Sequence, residues 1–270
     1  MSWPCVQKRA ANFQFRNYPI CNLTMLILAI DTSGKQGSVA LARGDGRSFE
    51  SIESTPVAGG TFSAQLVPQI AELLARNNLR KENIDAFAAA SGPGSFTGLR
   101  VGLAAIKALA EILQKPIVAV SLLEAIAATA LEINTGAWEV DAKATVAALL
   151  DAGRGEIFMG EYKFGSPLPL CVEEKLMRPE EFAAEIEQAG QKLAVLTPDP
   201  HLIEALRKLV RDPDLIWPHL IPRPTSADIA RIGLDKLLAG KTVSVEALDA
   251  NYIRRSDAEI FSLPRIAGRG

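Results

Sequence analysis

One stretch, residues 91–102, constrains the fold of this chain more than any other, because in it a turn leads directly into a helix. It reads SGPGSFTGLRVG. The proline and the first glycines mark a loop, and the side-chain oxygen of Ser95 or Thr97 can cap the helix that follows. Gly94, Gly98 and Gly102 are spaced four apart, so they share one helix stripe. Since glycine costs a helix about 1 kcal/mol relative to alanine, the stripe predicts close approach of another backbone or of a ligand.

Two interpretations of this stretch stay open at the level of sequence. Backbone N–H groups at the helix start can cradle a phosphate, or the glycines can serve close packing alone. The spacing fits neither the Walker motif nor the dinucleotide fingerprint. The candidate phosphate or nucleotide contacts, taken with the corner of the first predicted hairpin, are Asp31, Thr32, Ser33, Gly92, Gly94 and Ser95.

The corner of the first hairpin carries the same ambiguity. Residues 26–33 form an apolar run that ends in Asp31, Thr32 and Ser33, which predicts a buried strand with a carboxylate at its C-terminal end. Such a corner can hold a metal-bound phosphate. Equally, aspartate and threonine are common turn formers, and the spacing alone favours the turn.

Two helices near this stretch have more apolar surface than one sheet can cover. The helical period predicts helices over residues 61–77 and 97–115. The second is apolar almost all round, whereas a helix on one sheet needs an apolar arc of only about 100°. A second body is therefore expected to cover it. That body is either the helix at 61–77 or another protein chain.

The rest of the chain predicts an α/β protein. Two of its carboxylate pairs, Glu173-Glu174 and Glu180-Glu181, are expected on solvated faces. The predicted strands are 38–42, 48–52, 84–90, 117–120, 145–150, 156–162 and 193–197, and the further helices are 122–133, 178–188, 200–210 and 226–238.

Composition excludes several classes of protein. The 270 residues suit one large domain or two modest ones, and 29 basic against 31 acidic residues give no strong electrostatic footprint for nucleic acid. Three cysteines argue against a disulfide framework and fit a reducing compartment. The two histidines are far apart, and no metal-binding motif or serine-hydrolase elbow occurs. No apolar run approaches a membrane span. Residues 1–24 lack period and a signal-peptide core, and are expected to be a disordered or misassigned N-terminal extension.

Four motifs resemble the TsaB (YeaZ) family: IDTS at 30–33, the stretch at 91–102, DAGRGEIF at 151–158 and YIR at 252–254. The likeness covers residues 25–259. It implies the actin/sugar-kinase/Hsp70-like fold, a pair of ribonuclease-H-like lobes with the second reduced. The implied divisions are a first lobe with partner-binding helices at 25–120, a smaller second lobe at 121–224, and a C-terminal helix and tail at 225–270 that pack back on the first lobe.

The resemblance also implies a role without catalysis. TsaB-like proteins are the non-catalytic partners of TsaD in making N6-threonylcarbamoyladenosine on tRNAs that read codons beginning with A. An ATPase, TsaE, joins them. The resemblance implies a cytoplasmic protein without membrane contact. It also implies that the protein reaches tRNA indirectly through the complex, and that a homodimer is an alternative to pairing with TsaD.

Implied site residues follow from the pairing of such proteins through two first-lobe helices. The corresponding interface residues are Phe62, Leu66, Val67, Ile70, Leu103, Ile106, Lys107 and Ala110. No catalytic residue, metal or intrinsic cofactor is implied, and ATP or ADP with Mg²⁺ would bind only in the complex. Catalytic relatives hold metal with a histidine pair in the first helix, where this chain has TFSAQL at 61–66.

Two other functions remain open from the sequence. One is an ATP-dependent small-molecule kinase of the same fold class, in which Asp31, Thr32, Gly94 and Ser95 would hold phosphate and Mg²⁺. The other is a peptidase, for which the sequence offers neither a metal cluster nor a clear nucleophile and base.

Overall fold

The computed structural model describes residues 24–133, 145–163, 168–251 and 253, together with the two-residue strand Trp3–Pro4. The predicted N-terminal extension lies outside these ranges except for Thr24 and that strand, so its disorder stays a prediction. The YIR motif also lies outside them, apart from Ile253.

The described strands and helices alternate along the chain as in an α/β protein. The strands are β1 (Trp3–Pro4), β2 (Met25–Asp31), β3 (Gln36–Gly44), β4 (Phe49–Ala58), β5 (Ala86–Gly92), β6 (Ile117–Ser121), β7 (Thr145–Gly153), β8 (Glu156–Lys163), β9 (Leu170–Met177), β10 (Leu193–Thr197) and β11 (Ile216–Leu220). The helices are α1 (Phe62–Arg76), α2 (Phe96–Leu113), α3 (Leu122–Ile133), α4 (Pro179–Ala189), α5 (Pro200–Leu209) and α6 (Ser226–Leu238), with short 3₁₀ turns at Lys81–Asn83 and Pro213–Leu215.

The first sheet has the order β4-β3-β2-β5-β6. Strands β2, β3 and β4 form an antiparallel meander, and β5 and β6 continue the sheet in parallel with β2. The central strand β2 is buried along nearly its whole length, as expected for a strand covered on both faces. Its C-terminal end brings Asp31 to the edge where β5 leads into α2.

The second sheet repeats this order. It runs β9-β8-β7-β10-β11, with β7, β8 and β9 antiparallel and β10 and β11 parallel to β7, and β1 pairs with the outer edge of β9. The second lobe is smaller in its outer helices, since α4 and α5 have 11 and 10 residues against 15 and 18 in α1 and α2. Two sheets of the same order confirm the predicted ribonuclease-H-like, actin-type fold.

The five layers of helices and sheets share three apolar cores. Helices α1 and α2 pack on the outer face of the first sheet, and α4 and α5 on the outer face of the second. Between the sheets lie α3 and α6, whose side chains share one core with both sheets, for example Ile126, Ile229, Ile27 and Val146. The two lobes are therefore joined by a common central layer. No described helix combines the length and apolarity needed to cross a membrane.

Two features of the second lobe depart from the sequence predictions. Strands β9 and β11 were not predicted. Cys171 on β9 is disulfide-bonded, which the count of three sparse cysteines did not suggest.

Candidate functional site

The three glycines at the start of α2 form a close-packing surface, although Gly94 precedes the helix and only Gly98 and Gly102 lie in it. A Cβ atom at Gly94, Gly98 or Gly102 would lie less than 2.5 Å from an oxygen of Ser33 or Thr32. The partners are the Ser33 carbonyl oxygen, the Thr32 carbonyl oxygen and the Thr32 hydroxyl, in that order. The stripe therefore lets α2 rest directly on the turn between β2 and β3, which is the close backbone approach that the sequence predicts.

Asp31 stabilises that turn from inside. Its Oδ1 accepts the Ser33 N–H at 2.8 Å, and the side chain is only 4% exposed. The Ser33 carbonyl oxygen in turn accepts the Ser95 N–H at 2.7 Å, and Ser95 Oγ accepts the Gly98 N–H at 3.3 Å. Burial raises the pKa of Asp31, partly offset by hydrogen bonds from Ser33 and the charge of Arg223. The Asp31 carboxylate is thus engaged within its own turn, and the Ser95 N–H ties the start of α2 to that turn.

The six predicted phosphate contacts lie around the junction of the β2–β3 turn with the end of β5 and the start of α2. Asp31, Thr32 and Ser33 are buried and meet Gly94 and Ser95 at the start of α2. Gly92 ends the neighbouring strand β5, and a Cβ there would be 3.3 Å from the carbonyl oxygen of Asn251. Asp31 accepts a hydrogen bond within its own turn, and phosphate binding by these residues stays a prediction.

A small cleft adjoins this packing. It has a volume of about 250 Å³ and lies between the N-terminal ends of α1 and α2, and its lining residues are Gly34, Lys35, Gly59, Gly60, Phe62, Ser63, Ser95, Thr97, Gly98 and Val101. One cation and three hydroxyl side chains are its polar groups. The lining contains no histidine, cysteine or carboxylate, so the cleft holds no acid–base pair. In the described part of the chain, no three such residues cluster as a metal site would require.

The predicted interface residues lie mostly inside the first lobe. Six of the eight are buried under α1 and α2: Phe62, Leu66, Ile70, Leu103, Ile106 and Ala110. Val67 is 56% exposed, and Lys107 is partly exposed. The buried six hold the helices on the sheet, so a partner would have to meet their outward neighbours.

Those outward neighbours form a surface that we call the outer helix face. Its exposed apolar members are Ala64, Val67 and Ala71 on α1 and Ala104, Ala108 and Ile112 on α2. Ile112 is 71% exposed. The two helices contact each other on one side of the first sheet. Helix α1 therefore covers one side of α2, and the open side of α2 carries these apolar residues next to the exposed Arg100 and Glu111.

A polar cluster between the lobes was missed by sequence reasoning. The expected solvated pair Glu173-Glu174 is split by the alternation of β9, because Glu174 points toward the first lobe. There it accepts hydrogen bonds from Ser121, Tyr162 and Asn251. Burial raises the pKa of Glu174, and the three hydrogen bonds partly offset this. The prediction of a solvated Glu174 was wrong because two adjacent charges in a strand face opposite sides.

Comparison with known proteins identifies relatives in sequence and in fold. The family model for TsaD, tRNA N6-adenosine threonylcarbamoyltransferase, matches residues 56–208. The TsaB protein of Escherichia coli, a tRNA threonylcarbamoyladenosine biosynthesis protein, is 30% identical over 87% of this chain and 96% of its own length. The Bacillus subtilis TsaB is 26% identical over the same shares of the two chains. A Pseudomonas aeruginosa structure, described as similar to peptidase YeaZ, superposes with a TM-score of 0.66 at 26% identity, covering 85% of this chain and all of that one.

The paired sheets of repeated order, with α3 and α6 between them, define a two-lobed actin-like protein whose first-lobe helices expose an apolar face. Within that class the sequence likeness is specific and extends over most of the chain. The chain belongs to the TsaB family of tRNA threonylcarbamoyladenosine biosynthesis proteins.

Proposed function

We propose that this protein is a non-catalytic scaffold subunit that binds and stabilises a TsaD-like catalytic subunit during tRNA threonylcarbamoyladenosine synthesis. The observation that carries the proposal is the outer helix face. Exposed apolar area on two adjacent helices favours burial against another protein. The cleft beside this face has no acid–base pair, which fits a binding role better than a chemical one.

A homologous partner suits this face. The family model named for TsaD matches a range that contains both α1 and α2. A threonylcarbamoyltransferase from Anaeromyxobacter is 34% identical to this chain over 113 residues. Two related folds that present the same helices can pair about an approximate two-fold axis, as identical subunits do in isologous dimers. By the same reasoning, two copies of this chain can form a homodimer through the outer helix face when no catalytic subunit is present.

The remaining parts of the proposal concern the setting. A TsaE-like ATPase joins the pair, tRNA is reached through the complex, and ATP or ADP with Mg²⁺ binds only in the assembly. The proposed compartment is the cytoplasm. The kinase alternative receives no support from the site, because a phosphate-binding Asp31 would have to leave its buried turn.

Charge substitutions on the outer helix face test the proposal. We expect Val67→Glu with Ile112→Glu to weaken binding to a purified TsaD-like subunit at least tenfold, because each places a charge in an apolar contact. A tenfold change corresponds to about 1.4 kcal/mol. Isothermal titration calorimetry measures the affinity. Substitutions at Leu103 or Ile106 are unsuitable, since both are buried and their loss would unfold the lobe.

Leu220→Glu is the matched control. Leu220 is 59% exposed, close to Val67, but lies on β11 at the edge of the second sheet. We expect it to bind like the wild type. Wild-type affinity in the double variant would refute the docking face, and a wild-type protein that binds no TsaD-like subunit would refute the scaffold function itself.

A further inference from the structure

A single carboxylate of the second lobe connects three separate parts of the molecule. Glu174 on β9 accepts a hydrogen bond from Ser121 Oγ at 2.5 Å, and others from the Tyr162 hydroxyl and the Asn251 side-chain amide. Ser121 ends β6 of the first sheet, and Tyr162 is fully buried on β8 of the second. Asn251 belongs to neither sheet. It ends a segment that follows α6.

That segment, residues 243–251, is a strap across the first lobe. Its Val243 N–H donates to the Ile117 carbonyl oxygen at 2.9 Å, on the edge strand β6. Leu248 and Ala250 are buried in the core under α1 and α2. The strap therefore packs on the first lobe along most of its length, and the Asn251 side chain donates a hydrogen bond to Glu174 of the second lobe.

The end of the strap also touches the start of the glycine-rich loop. The Asn251 N–H donates to the Ser91 carbonyl oxygen at 2.6 Å. Its own carbonyl oxygen lies where a Cβ at Gly92 would be only 3.3 Å away, and Gly92 has a φ of +115°. Such a φ is available to glycine without strain. The loop runs from there through Gly94 and Ser95 into α2, which carries half of the outer helix face.

Three neutral donors converge on Glu174, and its loss would leave them without their acceptor. A donor that loses its acceptor away from water is destabilising, so the cluster favours one arrangement of its members over others. The neighbouring carboxylate Glu124 on α3 does not take part in this cluster. It forms a salt bridge with Lys236 on α6 at 2.7 Å. The geometry thus suits a polar cluster that specifies position rather than one that neutralises charge.

We propose that Glu174 is a positioning residue that pins the strap across both lobes and thereby fixes the loop that orients α2 for docking. The first step, pinning of the strap, concerns the isolated chain. The second step, orientation of α2 for a partner, rests on the proposed scaffold function. The two steps are therefore measured separately.

Hydrogen exchange with residue-level readout on the isolated full chain tests the first step. The probes are the strap amides of Val243, Leu248 and Asn251. We expect exchange at these amides to be at least tenfold faster in Glu174→Ala and in Asn251→Ala, while amides of α4 and α5 keep their wild-type rates. Should Glu174→Ala fail to fold, Asn251→Ala still decides the outcome, because it removes one tie and leaves Glu174 with two donors.

Glu173→Gln is the matched control. This neighbour on β9 faces the other way and pairs with Lys175 at 3.1 Å, so its loss should leave the strap amides unchanged. Wild-type exchange of the strap in both test variants would overturn the proposal. Equal acceleration in every helix and strand would overturn it as well, because it would show a general loss of stability instead of a local release.

Affinity for a TsaD-like subunit tests the second step. We expect a three- to tenfold loss in Asn251→Ala and none in Glu173→Gln, both measured by calorimetry. A freed strap with wild-type affinity would refute the link to docking while leaving the pinning intact. A wild-type protein without affinity for a TsaD-like subunit would refute the scaffold function. The hydrogen-exchange data would still test whether Glu174 pins the strap.

Discussion

Alanine substitutions at Gly98 and Gly102 should destabilise the protein in two distinguishable ways. Each new Cβ would lie less than 2.5 Å from an oxygen of Thr32, whereas ordinary contacts begin near 3.4 Å. Helix α2 or the β2–β3 turn must therefore move by roughly 1 Å. Alanine gains about 1 kcal/mol of helix propensity, but overpacking costs about 1–3 kcal/mol, with the upper end expected where backbone is struck. For Gly98→Ala we expect a net loss of about 2 kcal/mol.

The two variants differ in the atom of Thr32 with which the new Cβ would clash. Gly98→Ala meets the Thr32 carbonyl oxygen, which no side-chain substitution removes. Gly102→Ala meets the Thr32 hydroxyl and its Cγ2, which Thr32→Ala does remove. A double-mutant cycle should therefore show a favourable coupling of about 1–2 kcal/mol between Thr32→Ala and Gly102→Ala, and almost none with Gly98→Ala.

Urea unfolding and thermal melting measure both effects. At roughly 2–4 °C per kcal/mol for a chain of this size, Gly98→Ala should lower the Tm by about 4–8 °C. Ala108→Gly is a control on the exposed side of α2 and should lose only about 1 kcal/mol of propensity. A Gly98→Ala protein that melts above the wild type would refute close packing as the reason for the glycine stripe.

Two further predictions concern charges between the lobes. Burial raises the pKa of Glu174 above its ordinary value of 4.5, so the native state holds this proton more tightly than the unfolded state, and stability is lost as pH rises. Wild-type stability relative to Glu174→Gln should therefore fall as pH increases from about 4.5 toward the native pKa, and a constant difference in urea melts across that window would contradict the assignment. Lys236→Met leaves the mostly buried Glu124 without its cation and should cost about 3 kcal/mol. Adding Glu124→Gln should recover part of that loss, and equal stability of the single and double variants would show that the pair is not coupled.

The first lobe is largely predictable from sequence because its signals are local. The apolar run before Asp31 and the helical periods of α1 and α6 place these elements within a few residues of their observed bounds. Of the two predicted caps, Ser95 and Thr97, the structure has Ser95 as the N-cap of α2. The glycine spacing also anticipates a close backbone approach, since no other residue permits it.

The second lobe is harder to predict because two of its strands carry misleading residues. Strand β9 contains Glu173, Glu174 and Lys175, which suggest a solvated loop. Strand β11 contains Pro218, which a sheet tolerates at an edge but which argues against a central strand. In both cases the pairing partner, not the local sequence, determines the structure.

The face that α2 turns outward is also beyond the reach of its sequence. Alanine fits buried and exposed positions almost equally well, so Ala104 and Ala110 look alike until the fold places one outside and the other inside. The predicted interface therefore included residues such as Leu103, Ile106 and Ala110, which the structure places in the core. The buried role of Glu174 depends in the same way on contacts with distant residues.

The position of α6 has a consequence for how the chain is made. This helix covers β2, β3 and β5 of the first sheet, yet the ribosome synthesises it only after the whole second sheet. The face of the first sheet that α6 covers therefore stays exposed during synthesis until α6 has left the ribosomal exit tunnel. We therefore expect nascent chains halted before residue 226 to bind chaperones. The chaperones should dissociate once α6 has been synthesised and packs on the first sheet.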